Sequence, residues 1–395
     1  MPSNRSALNT VSRLSALLIA ITLASTLPAQ SLLDRVTDWF EFDLRKPRLG
    51  DTDTTFIPKV VLSPTVSYEP ATSLGVGAGI KILFKPKGAG PETRTSNVPI
   101  GLTYTFKNQL IFNSGYTVFF PEERWLLRGN LGYSDFPVLF FESGPRSQRS
   151  DAHDIRYRRI LVEPLLLRKI GQNDVFFGGG FRFNRFFDLG LEEPEDVNNP
   201  DFKVAELASA SVGLELAFSV DDRDNVLNAS EGKFLEFTHG FYGKILGGTH
   251  QFMLSKADYR GYIRPSSRNE NVIAYQLYAR YAWDGTPNLE LSSLGGAELL
   301  RGFREFRWRD RLAYFAQVEY RYQAFRKLGF VFFGGAGDVS GEDNPANFNT
   351  LKYSLGAGIR IKIIESENLN VRFDYALGMG RSNERNFYLG IAEAF

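Results

Sequence analysis

Histidine, the side chain best placed to move protons near neutral pH, occurs three times, at His153, His239 and His250. The three do not stand at metal-ligand spacing, and no Cys is present to supply a thiolate. Neither a Gly-x-Ser-x-Gly elbow nor a Walker-type phosphate loop occurs. A hydrolase using His239 or His250 from a strand is the enzymatic arrangement left, so the expectation is a non-enzyme with no metal and no cofactor. Gly178-Gly179-Gly180 sits in a strand-like run and reads as a bend rather than a phosphate cradle. Arg304, Arg307, Arg309 and Arg311 could meet an anion such as lipopolysaccharide, or simply form a solvated, salt-bridged loop. The sharpest feature is Leu294-Gly295-Gly296-Ala297-Glu298-Leu299-Leu300-Arg301-Gly302-Phe303, because a guanidinium placed among glycines and apolar residues needs acceptors brought to it.

Something must position these side chains, and the N-terminus says where the chain travels. Arg5 and Arg13 precede an apolar run from Leu14 to Ala24 that ends near Pro28-Ala29-Gln30. This is the form of a secretory signal peptide over residues 1–29. The run is too short for a spanning helix, which needs about 20 apolar residues, and Leu161 to Leu167 is broken by Glu163 and Pro164. Without Cys there is no lipoprotein anchor and no disulfide. The 46 basic and 45 acidic residues nearly cancel, so no nucleic acid partner is implied.

The hydrophobic period is two, most plainly near the C-terminus. Tyr353, Leu355, Ala357, Ile359, Ile361 and Ile363 alternate with Lys352, Ser354, Gly356, Gly358, Arg360 and Lys362. Leu369 to Met379 repeats the pattern, and Leu312 to Tyr322 sets Tyr314, Val318 and Tyr320 against Gln317, Glu319 and Arg321. A β-sandwich alternates too, but its strands average about 5 or 6 residues. These segments run to about 10 to 14, enough to cross a bilayer at a tilt. Their polar face is rich in Gly, as a crowded lumen requires, and aromatic residues make up 14% of the chain. Phe395 closes an alternating segment from about Asn386.

The fold expected is therefore all-β: a transmembrane antiparallel barrel of about sixteen strands in a bacterial outer membrane. Strand starts fall near Lys59, Thr72, Asn97, Gln109, Arg124, Asp154, Asp174, Lys203, Gly232, Thr249, Asn271, Leu312, Leu328, Lys352, Leu369 and Asn386. With periplasmic termini, the long connections around Asp135 to His153, Asp188 to Asp201 and Asp284 to Arg311 are extracellular. The Gly/Pro-rich stretch Lys85 to Ser96 is periplasmic. Residues 30–58 form a short periplasmic segment before the barrel at 59–395, and Ser31 to Phe42 could make an amphipathic helix or an irregular tail.

The Gly295-Gly296 pair and the Arg301-Gly302-Phe303 tip resemble the inward-folded extracellular loop of the BamA/TamA superfamily, also called the bacterial surface antigen family. Asp222-Arg223-Asp224-Asn225 with Gly232 is similar to its mid-barrel periplasmic turn, Arg372-Phe373-Asp374-Tyr375 to its penultimate strand, and Asp135-Phe136-Pro137 to a loop approach in its first half. The resemblance implies that Arg301 reaches a lumen-facing Glu, here Glu319, whose neighbours Gln317 and Arg321 share its inward phase. A second acceptor, an Asp in the family, is replaced by Gly335, which leaves Asp374 as the other partner. A terminal aromatic, here Phe395, marks such barrels for assembly.

The family implies insertion or translocation of protein, or of lipid, through a seam between first and last strands. Its partners are outer-membrane lipids, the barrel-assembly machinery acting on the C-terminal strand, and a separate periplasmic partner, since residues 30–58 are too few for a POTRA domain. The competing expectation is a passive pore or structural barrel without assembly activity.

Overall fold

A strand that alternates strictly exposes one face and needs the other covered, and a sheet of such strands is satisfied by curling until its polar faces enclose a lumen. The computed structural model does this. It describes residues 41–43, 58–69, 73–105, 109–148, 152–191, 203–266, 270–365 and 367–395. The expected signal peptide, and the proposed helix up to residue 40, lie outside the described residues. Glu41–Asp43 is a short strand, β1, so a helix does not run on through Phe42.

Eleven long strands follow: β2 (Lys59–Glu69), β3 (Ser73–Phe84), β4 (Ser96–Thr105), β5 (Leu110–Phe119), β6 (Trp125–Phe141), β7 (Ala152–Lys169), β8 (Val175–Leu191), β9 (Ser209–Asp221), β10 (Gly232–Tyr242), β11 (Phe252–Ile263) and β12 (Val272–Ala282). A long connection carries the two-stranded ribbon β13 (Ser292–Leu294) and β14 (Trp308–Asp310). Five more long strands complete the wall: β15 (Leu312–Phe325), β16 (Leu328–Ser340), β17 (Lys352–Ile364), β18 (Leu369–Met379) and β19 (Glu384–Ile391). Each pairs antiparallel with the one before, β12 passing directly to β15. At the seam β19 lies beside β2, with Cα atoms within 8 Å.

The alternation sorts the faces as the sequence requires. Tyr353, Leu355 and Ile359 point outward, at 48%, 55% and 42% exposure, while Lys352, Ser354 and Arg360 are buried. Leu214, Leu216, Phe237, Phe241, Phe332 and Phe387 continue the apolar outer band.

Three expectations fail locally. The eighth wall strand, β9, starts at Ser209 rather than Lys203, because Val204–Leu207 winds into a 3-10 turn. Asp135-Phe136-Pro137 does not approach a loop but lies inside β6, where Asp135 receives Arg156 and Arg158 of β7 at 2.9 and 3.0 Å. Those pairs, with Arg158–Asp188 at 2.7 Å between β7 and β8, join strands of 17 or 18 residues, longer than a crossing needs. Phe395 does not close the last strand. That strand stops at Ile391, Ala392 turns with φ 75°, and Ala394 and Phe395 are buried against Ala229, Tyr262, Val272 and Ala274.

Candidate functional site

The connection between β12 and β15 folds back into the barrel, and its glycines make that possible. Gly295 and Gly296 have φ of 114° and 94°, in the left-handed region that side chains disfavour. Their amides bond Leu299 O at 2.7 Å and Phe303 O at 3.0 Å, closing the ten residues into a compact finger. At the tip Gly302, φ 111°, lies so close to β18 that a Cβ there would stand 2.5 Å from Gly378 N. Leu294, Leu300, Phe303 and Trp308 form an apolar cluster with Ala313, Phe315 and Val339 of the wall.

Arg301 is fully buried. One guanidinium nitrogen pairs with Glu319 of β15 and the other with Asp374 of β18 at 2.7 Å. Gly335 faces Leu300, and a Cβ there would stand 3.1 Å from Leu300 Cδ1. The ring of Phe333, two residues away on the same inward face, lies 3.6 Å beneath the Arg301 guanidinium. Arg301 Nε has no hydrogen-bond partner. The arrangement thus spans two carboxylates and an aromatic face, and Ser354 of β17 donates to Arg301 O.

The finger grips the last strand from inside. Asn386 Nδ2 donates to Gly302 O at 2.7 Å, Tyr388 Oη accepts from Gly302 N at 2.9 Å, and Glu384 accepts from Arg304 N at 2.9 Å. Arg307 also reaches Glu384, at 3.1 Å, while its guanidinium stacks 4.2 Å from Phe141 and 3.8 Å from Trp308. Arg309 stacks 3.5 Å from Phe140, Gly144 N bonds Arg309 O, and Arg311 pairs with Asp284 and Glu342. These contacts engage the arginine run within the molecule. Lower on the finger's approach, Glu290 takes two bonds from Arg182 at 3.1 and 3.0 Å and one from Asn184 at 2.6 Å. Burial alone pushes the Glu290 carboxyl up, but the Arg182, Arg280 and Arg159 charges hold it below the usual carboxylate range.

The model of the Omp85 superfamily domain matches residues 94–395. The chain belongs to the Omp85 superfamily. Its fold is similar to that of BamA from Haemophilus ducreyi lacking POTRA domains 1-3, with a TM-score of 0.52 and 16% identity over 92% of this chain and 78% of that one. It is also similar to CdiB from Acinetobacter baumannii, with a TM-score of 0.52 and 14% identity over 84% and 59%. No curated protein matches. As an Omp85 chain it is a β-barrel of the bacterial outer membrane.

The Omp85 barrel also has a floor, which the sequence pattern did not reveal. Residues 222–231, between β9 and β10, reach across the lumen. Asn228 Nδ2 bonds Asn368 O at 3.2 Å and Asn368 Nδ2 returns to Asn228 O at 3.1 Å. Asn225 Nδ2 bonds Glu367 O at 3.0 Å, and Leu227 packs with Val61, Leu83, Ile363, Ile364 and Leu369. Residues 392–395 lie against it, Glu393 pairing with Arg360 at 2.7 Å and Phe395 O accepting from Arg321 at 3.0 Å. Glu393 was the legible warning: continued along β19 it would share the outward face of Phe387 and Leu389, a charge facing lipid.

Between finger and floor lies a cavity of about 760 Å³. Leu289, Leu299 and Phe306 line it on one side, Asp221, Leu227 and Phe395 on the other. His239 sits on the outer wall, Nδ1 2.9 Å from Ser255 Oγ, and His250 Nδ1 lies 2.8 Å from Thr249 Oγ1. Among the described residues no carboxylate comes within ion-pair distance of either ring, so neither forms a triad.

Proposed function

We propose that this Omp85 barrel inserts or translocates polypeptide at the outer membrane through the seam between β2 and β19. The observation that carries the reading is that the seam edge of β2 takes an added strand. Val61, Val60 and Lys59 pair with Lys81, Ile82 and Leu83 of β3 on one edge and with Glu41, Phe42 and Asp43 of β1 on the other. An unsatisfied strand edge is a template for an extended segment, and β19 vacates that part of the wall by turning inward after Ile391. The finger bonds β19 at Glu384, Asn386 and Tyr388, so in this reading β19 stays with the finger and the seam opens on the side of β2.

Outer-membrane lipids surround the seam, and a separate periplasmic protein delivers the client. Phe395 acts earlier, as the aromatic engaged by the assembly machinery before residues 392–395 fold inward. The passive-pore reading is disfavoured by finger and floor, which together divide the lumen.

The chain has no Cys, so paired cysteines report cleanly. One placed in β2 between Leu62 and Val66 and one in β19 between Phe387 and Ile391 should lock the seam on oxidation. Insertion of other barrels into membranes carrying the protein should then stop and return on reduction. Undiminished insertion with the seam locked would sink the proposal.

A further inference from the structure

Most lumen-facing cations here are answered. Arg128 and Lys256 share Glu236, Arg182 takes Glu163 and Glu290, Arg223 takes Asp221 and Arg260 takes Asp258. Lys81 is not. It is 7% exposed, lines the cavity, and among the described residues has neither a hydrogen bond nor an ion pair. Across the seam strands, on β18, stands another cation, Arg372, whose charge acts on it.

Arg372 is itself short of acceptors. It is 6% exposed, its Nε has no partner, its one hydrogen bond among the described residues is a long one from Nη1 to Ala297 O at 3.5 Å, and its nearest carboxylate, Asp374, stands 3.7 Å away. Both Asp374 oxygens are held more closely, Oδ2 by Arg301 at 2.7 Å and Oδ1 by Arg360 at 2.5 Å. Four guanidinium groups, of Arg301, Arg321, Arg360 and Arg372, share the side-chain carboxylates of Glu319, Asp374 and Glu393. Glu298 on the finger feels the Arg372 charge but lies beyond ion-pair distance and is exposed. Two buried cations that repel each other carry a desolvation cost; among the described residues only Ala297 O and Asp374, at 3.5 and 3.7 Å, offset it for Arg372, and no partner does so for Lys81. Such a cost is offset when an anion binds between them.

Topology says which anion. Lys81 is on β3 and Arg372 on β18, so the two flank the seam strands β2 and β19 from within. Outside the seam the wall is apolar, with Ile80, Phe373, Phe387 and Leu389 facing the bilayer. An amphiphile at the seam can leave its chains against that band and place its headgroup inside. An ammonium and a guanidinium together suit a phosphate. We propose that Lys81 and Arg372 form a site behind the seam for the phosphate of a membrane phospholipid. The proposal rests on the seam as entrance, but its test reads lipid binding and not insertion.

The full chain in a non-ionic detergent is titrated with short-chain phosphatidylglycerol, with inorganic phosphate, and with diacylglycerol, while its thermal unfolding is followed. For the unaltered protein, phosphatidylglycerol should raise the midpoint and one molecule should stay bound in native mass spectrometry, whereas diacylglycerol should do neither. Lys81→Met removes the charge without leaving a hole. It should unfold at a higher temperature than the parent without lipid, yet lose the lipid-induced rise and bind at least tenfold more weakly. Arg372→Gln should also lose lipid, and Lys256→Gln, altering a cation already paired with Glu236, should keep it. Equal lipid binding by the parent and Lys81→Met overturns the proposal. So does a response to inorganic phosphate that phosphatidylglycerol does not reproduce, which would assign the site to free phosphate.

Discussion

Arg301 shows how much one buried charge decides. Its partners Glu319 and Asp374 come from strands β15 and β18, so the pair of contacts ties the finger to two parts of the wall. Removing one partner of a buried ion pair costs about 3–5 kcal/mol, because the survivor stays buried without its partner. Glu319→Gln leaves Arg301 and Arg321 sharing a neutral amide. It should lower the stability of the barrel in urea by an amount of that order, whereas exposed Lys203→Gln should cost about 0.5 kcal/mol or less. Equal effects from the two would mean that the pair is a bystander. The Arg301–Glu319 pairing was legible through the resemblance of the loop to the BamA/TamA superfamily, with which the inward phase of Glu319 agreed. The stacking of Phe333 was not, since a Phe among glycines on a lumen-facing strand reads as a break in the pattern rather than as a cushion for a cation.

At the scale of elements, the strands were legible because lipid outside and charge inside impose a period of two, and no register slip can satisfy both faces. Turns and ends were less so. Pro137 reads as a stop, yet it sits opposite Arg156 in a strand prolonged by ion pairs between β6 and β7. The finger depends on backbone fit, so Gly302→Ala, whose Cβ would press on Gly378 N and Leu377 C, should keep the tip from seating. Proteolysis within residues 283–311 should become rapid while the barrel still migrates as folded in a gel; an unchanged cleavage rate would show that the tip tolerates the methyl. Glu290 adds a pH dependence. Its carboxyl is held below the ordinary value when docked, so its contribution is complete above about pH 4.3, the free value of Glu, and is lost as pH falls through the docked value. The same protease assay should show the finger loosening in acid, and Glu290→Gln should flatten that dependence.

For the whole molecule, the question is whether the lumen or the seam is the working path. A sixteen-strand wall encloses room for an aqueous channel if nothing fills it, but here the finger enters from one end and residues 222–231 with 392–395 from the other. The intact protein should therefore conduct far less than an open barrel of its size in a planar bilayer. Arg301→Ala alone should raise conductance modestly, because the floor remains. Asn228→Ala combined with removal of residues 392–395 should do the same from below, because the finger remains. Only the combination of both should open a steady pore, an outcome more than additive in conductance. If Arg301→Ala alone gave full conductance, residues 222–231 would not be a barrier, and the lumen, rather than the seam that β1 partly covers, would become the route to defend.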